Sequence, residues 1–144
     1  MRLEKTNLLM PNVVHYTMDL AKENFDDGFE KMRSIEFQEE VYSQSALAFM
    51  LSESDKDQKT RKVEFYMFLS DIPDNFPYKT TKLLELKNAI VLRQADLEDN
   101  LEEARKKIEA FALDRYGKGV SEEMYCLNYD IYNELLVDVY IPMK

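Results

Sequence analysis

The chain has 144 residues, with 28 acidic against 19 basic side chains and a formal net charge of −9. That length suits one domain that needs no disulfide or metal staple, and the acidic field argues against direct nucleic-acid binding. A single cysteine, Cys126, excludes an internal disulfide, and the longest apolar run, Ala46 to Leu51, is far below the roughly 20 residues of a membrane span. The N-terminus has no signal-peptide core. The expectation is a cytoplasmic protein with no membrane contact.

Taken in chain order, Asn12-Val-Val-His-Tyr-Thr17 predicts the first strand. A helix follows over about Leu20 to Glu39, with Phe25, Phe29, Met32 and Ile35 on its apolar side. Gly28 inside it costs about 1 kcal/mol relative to Ala. Ser45 to Leu51 and Lys62 to Leu69 predict strands, with the basic stretch Lys56 to Lys62 as the loop between them. Pro73-Asp-Asn-Phe-Pro77 reads as a short linker, too short to separate independent domains. Lys82 to Glu85 and Asn88 to Arg93 predict two further strands. The clearest helix runs from Leu97 to about Tyr116, where Leu97, Leu101, Ala104, Ile108 and Phe111 form one stripe. Asp96 and Asp99 mark its start, Gly117 and Gly119 its end, and the charges from Glu98 to Lys107 its solvated face. Glu123 to Asn128 and Leu135 to Ile141 are the last strands.

The order is β-α-β-β twice, over halves of about 1–72 and 78–144. The halves also match in register. Asn24-Phe25-Asp26-Asp27 falls on Asn100-Leu101-Glu102-Glu103, and at the same offset Gly28, Met32 and Ile35 fall on Ala104, Ile108 and Phe111. The strands from Asn12 and Asn88 obey that offset too, while Glu64 to Met67 matches Asp138 to Ile141 at an offset two positions shorter. An internal duplication follows. The fold class expected is α+β: duplicated β-α-β-β halves with pseudo-twofold symmetry, an antiparallel sheet with helices on one face, and a central groove on the other.

Strand alternation assigns the faces. Val137, Val139 and Ile141, like Val63, Phe65 and Met67, suit the helix side, leaving Glu64, Tyr66, Asp138 and Tyr140 on the groove side. On the strand from Glu123, Met124 and Cys126 suit the core, so Glu123, Tyr125, Leu127 and Tyr129 alternate with them. Carboxylates among tyrosine rings make a surface that attracts a cation. The same pattern also serves as a solvated outer face. His15, the only histidine, reads as a strand or core-edge residue, and one His with one Cys excludes histidine- or thiolate-based metal centres. Three glycines cannot build a phosphate-cradling loop. No cofactor is implied.

The duplicated pattern resembles the GyrI-like (gyrase-inhibitor-like) domain, which also serves as the effector-binding module of MerR- and AraC-type regulators. The second half carries the likeness: Ala89-Ile-Val-Leu-Arg93 leading into the amphipathic helix, a Glu-x-Tyr segment at Glu123-Met124-Tyr125, and the closing Val139-Tyr140-Ile141-Pro142-Met143-Lys144. The family's usual Gly-Pro-Tyr between strand and helix is absent; Met18-Asp-Leu and Gln94-Ala-Asp stand there. The resemblance implies a groove for small, often cationic and aromatic molecules, recognised by a buried carboxylate, here matched by Glu123, and by aromatic rings. The sequence starts about ten residues before its first clear strand, without the helical, basic stretch a helix-turn-helix needs, so a stand-alone version is expected.

The reading that follows is a non-catalytic binding module. Its ligand residues are Glu123, Tyr125, Tyr140, Tyr66, Glu64 and Asp138, its ligand a small organic cation, and its state a monomer or homodimer. The alternatives are an adaptor with a filled groove and a protein partner, as in families near type VII secretion clusters, and a small hydrolase using Glu123 with Tyr125 or Tyr140.

Overall fold

Two long strands organise the molecule. The computed structural model describes residues 2–21, 26–43, 47–55, 57–94, 101–131 and 134–144. Its elements are β1 (Arg2–Ala21), α1 (Asp26–Glu39), β2 (Leu47–Ser52), a 3-10 turn (Glu53–Asp55), β3 (Thr60–Phe68), β4 (Lys79–Gln94), α2 (Leu101–Tyr116), β5 (Glu123–Ile131) and β6 (Glu134–Pro142). The strands close into a ring in the order β1-β3-β2-β5-β6-β4, with every neighbour antiparallel. Closure removes the exposed sheet edges that a six-stranded open sheet would carry.

Exchanging β1 with β4, β2 with β5 and β3 with β6 maps this order onto itself. The register obeys the same exchange. Val14 pairs with Met67, and their counterparts under the two sequence offsets, Ile90 and Ile141, pair with each other. Asn12 and Asn88 share a second feature: both sit at positive φ, 50° and 53°. Asparagine tolerates that left-handed conformation better than most residues. There each strand shifts its alternation by one, so Leu8, Met10 and Val13 lie in one apolar cluster, as do Leu84, Leu86 and Ala89. The bends are tied down alike, Leu69 N–H donating to the Asn12 carbonyl and Met143 N–H to the Asn88 carbonyl, each at 3.0 Å. These correspondences are the topology that a tandem copy predicts.

The principal core lies between the helices and the ring. Met32 and Ile35 of α1 and Leu101, Ala104, Ile108 and Ala112 of α2 pack on Phe49, Leu51, Val63, Phe65, Met67, Ile90, Leu92, Val139 and Ile141. Each large apolar side chain among them contributes about 1.5–3 kcal/mol on full burial. Gly28 has a specific reason to be there. A Cβ built on it overlaps Cζ, Cε1 and Cε2 of Phe65, and its carbonyl accepts the buried Tyr16 hydroxyl at 2.7 Å. The helix rests directly on the Phe65–Tyr16 stack.

The structure corrects several expectations. β1 begins at Arg2 instead of Asn12 and runs to Ala21, so Leu20 is a buried strand residue and not the start of a helix. The strands expected at Lys82–Glu85 and Asn88–Arg93 are one element, because left-handed Asn88 bends β4 without ending it. Thr60 and Arg61, expected in a loop, open β3. Arg105 is not on a solvated face. It is 5% exposed, anchored to Glu53 at 3.1 Å and donating to the Ser121 carbonyl at 2.6 Å. Phe25, Leu97, and the cap residues Asp96 and Asp99 lie outside the described residues. Left-handed Gly117 closes α2, its N–H bonding to the Leu113 carbonyl.

Candidate functional site on the inner face of the ring

The face away from the helices gathers a second cluster, in which Tyr66, Tyr125 and Tyr140 stand among Ala48, Val91 and Leu127. Alternation along β3, β5 and β6 puts them there, opposite the Val/Ile/Met positions that feed the main core. Each of the three tyrosines is less than one tenth exposed. Burial pushes their phenols up: Tyr140 to about 12, with Asp138 adding to the effect, and Tyr66 and Tyr125 further, with Glu64 and Glu123 as their respective neighbours.

Two half-sites occupy this face. In one, His15 of β1 bonds through Nδ1 to Oε1 of Glu64 at 2.9 Å and through Nε2 to the Thr81 hydroxyl at 2.8 Å. The His15 hydrogen bond, with Lys79 nearby, holds the Glu64 carboxyl below its ordinary range despite partial burial. The imidazole meets the Tyr66 ring edge-on at 5.2 Å, and Tyr66 stacks at 6.1 Å on Tyr125. The Tyr125 hydroxyl donates to Glu123 Oε2 at 3.0 Å. In the other half, Asp138 is 2% exposed and receives both Nε and Nη2 of Arg93, at 2.7 and 2.9 Å. That bidentate pair raises the Arg93 guanidinium well above its ordinary value.

The six residues expected from the sequence thus divide. Glu64, Tyr66, Tyr125 and Glu123 come together, while Asp138 and Tyr140 lie in the second half with Arg93. Glu123 is exposed at the rim, and the buried carboxylate is Asp138. His15, Thr81 and Arg93 were not legible as site residues. Their roles depend on which strands are neighbours, and local alternation does not carry that information.

Two cavities open here. One, of about 110 Å³, is lined by Glu4, Thr6, Val91, Arg93, Asp138 and Tyr140. The larger, of about 380 Å³, is bounded mainly by Leu8, Met10, Pro11, Phe68, Leu127 and Tyr129. The second falls in the size range of small-molecule sites. Among the described residues no three His, Cys, Asp or Glu side chains converge as a metal site, and no helix is long and apolar enough to cross a membrane.

The ring of six antiparallel strands with two helices on its outside is a GyrI-like fold. It matches the C-terminal domain of EcmrR with a TM-score of 0.63 and 16% identity, covering 100% of this chain and 99% of that one. The same match recurs in the EcmrR–DNA complex, where 99% of this chain spans 57% of the EcmrR chain, at 13% identity and a TM-score of 0.63. SAV2435 bound to tetraphenylphosphonium matches with a TM-score of 0.54 and 12% identity over 99% of this chain and 93% of that one. No family model and no curated protein matches the sequence.

Proposed function

We propose that this chain is a non-catalytic binding module for a small organic molecule, with preference for a lipophilic aromatic cation. One observation carries the reading: a cavity of about 380 Å³, lined by Leu8, Met10, Phe68, Leu127 and Tyr129 among others, opens on the same apolar cluster that holds Tyr66, Tyr125 and Tyr140. The cavity takes rings, and the tyrosine faces with Glu64 and Glu123 supply negative potential. Asp138 and Tyr140 frame the second half, where Arg93 already neutralises the carboxylate. The fold shared with SAV2435, a protein solved with tetraphenylphosphonium, supports the same ligand class.

The test is a thermal-shift and fluorescence titration with tetraphenylphosphonium against neutral triphenylphosphine oxide. The cation is expected to stabilise the protein by about 2.7 kcal/mol at a hundredfold excess over its dissociation constant. The neutral analogue is expected to do much less. Equal response to both refutes the cation preference, and no response to any compound refutes the receptor.

The adaptor reading has one supporting observation, the near-complete burial of Tyr66, Tyr125 and Tyr140, which leaves the protein's own rings filling much of the face. It predicts no shift with any small molecule and an intact site buried under a protein partner.

A further inference from the structure

Two exposed aromatic rings flank the C-terminal end of α1. Phe37 is 87% exposed, on the far side of the helix from the buried Gly28, Met32 and Ile35. Tyr42 is 80% exposed, on a turn that is tied down. There Val41 N–H donates to the Glu36 carbonyl at 3.1 Å, Ser43 N–H donates to Glu36 Oε2 at 2.8 Å, and Glu40 is left-handed at φ 56°. Both rings line a groove of about 660 Å³, together with Arg33, Glu36 and Glu40. A second groove, of about 220 Å³, runs from Glu40, Val41 and Tyr42 to Leu69, Ser70 and Asp71.

The second half of the chain shows what this end lacks. At the offset that places Asn12 on Asn88, Phe37 falls on Leu113, itself 67% exposed, and Glu39 falls on Arg115. Arg115 stands in the last turn of α2, 5.4 Å from the centre of the Phe111 ring, and Lys5 lies at the same distance over Tyr116. The last turn of α1 holds no basic residue. It carries Glu36 and Glu39, with Glu40 directly after, all adding to the negative end of the helix dipole. Among the described residues no cation lies over the ring of Phe37 or Tyr42. One helix end thus supplies cations for its own aromatic rings, and the other presents bare rings among carboxylates.

We propose that the C-terminal end of α1 is a docking surface for a basic segment of a partner protein. Arginine or lysine side chains of that segment lie on the Phe37 and Tyr42 rings and face Glu36, Glu40 and Asp71. Its apolar side chains lodge against Val41 and Leu69. Charge selects this occupant. Arg33 is the one basic side chain lining the two grooves, against three carboxylates, and the chain as a whole carries −9. A basic segment is drawn to that field, and a second copy of the same acidic face is repelled by it. The tied-down turn holds Tyr42 in place before binding, which lowers the ordering cost. The surface lies outside the ring and is independent of the receptor reading.

The experiment is selection from a random-peptide display library on the immobilised full chain, followed by fluorescence-anisotropy titration of the enriched peptides. Those peptides are expected to be net positive and to combine Arg or Lys with large apolar residues. Phe37→Ser and Tyr42→Ser are each expected to weaken them about thirtyfold, the loss at an aromatic hot spot. Glu39→Arg, which gives α1 the residue that α2 carries, is expected to weaken them about fivefold and to flatten the salt dependence. Phe37 and Tyr42 are exposed, so both serine variants are expected to keep the wild-type Tm. No enrichment, enriched peptides that are neutral or acidic, or binding that survives Phe37→Ser and Tyr42→Ser overturns the proposal. Concentration-dependent dimerisation in sedimentation, abolished by Phe37→Ser, also overturns it and assigns the face to a second copy. None of these results alters the outcome of the tetraphenylphosphonium titration.

Discussion

Replacing Gly28 by alanine sets helix propensity against packing, because the two have opposite signs. In an exposed helix interior the change stabilises by about 1 kcal/mol. In α1 the new methyl has no space. A Cβ there overlaps three ring atoms of Phe65, and that ring is fully buried, stacked on Tyr16 at 5.3 Å and edge-on to Phe29 at 5.7 Å. The ring cannot swing into solvent, so α1 must lift, loosening Met32, Ile35 and the Tyr16–Gly28 hydrogen bond. Overpacking of this kind costs about 1–3 kcal/mol, and contact with a locked ring belongs at the upper end. Set against the propensity gain, Gly28→Ala is expected to lose about 1–2 kcal/mol, or about 3–8 °C in Tm. Urea denaturation monitored by circular dichroism measures it. Phe65→Leu vacates ring volume, so the double variant Gly28→Ala/Phe65→Leu is expected to lose less than the two single changes together. A Gly28→Ala protein as stable as wild type, or more stable, refutes the reasoning.

Two further outcomes follow from the inner face. Arg93→Ala strands the buried Asp138, an expected loss of about 1–3 kcal/mol, reduced from the full value for a buried pair because the guanidinium side is 62% exposed; Arg93→Ala/Asp138→Asn should recover part of it, and chemical denaturation of the two variants tests this. The Tyr140 phenol is raised in the folded state to about 12 from an unfolded value near 10, so its contribution to stability is full below pH 10 and lost as pH rises toward 12. An alkaline denaturation series should show that limb flattened in Tyr140→Phe, and identical limbs would contradict the burial argument.

The sequence by itself determined the order of the elements and the facing of their side chains. Both are local: a strand alternates with period two, a helix with 3.6, and Val63, Phe65 and Met67 or Leu101, Ala104 and Ile108 declare their side wherever the element ends up. The two offsets between the halves were legible for the same reason. Where local signals misled, tertiary packing had changed the balance. No strand was expected over Arg2 to Pro11, because its strand character comes from pairing with β4. Arg105 reads as solvent-facing because Glu53 and the Ser121 carbonyl reach it from distant parts of the chain.

What only the tertiary structure decided is which groups meet. Glu64 and Asp138 are equivalent in the sequence pattern, and alternation places both on the inner face. Their partners come from β1 and β4, through pairings 49 and 45 residues apart in the chain. An imidazole at one carboxylate and a guanidinium at the other is a consequence of strand neighbourhood and register. Those are settled by the closure of the ring and the burial of its faces, a collective free energy that no single segment of the chain contains.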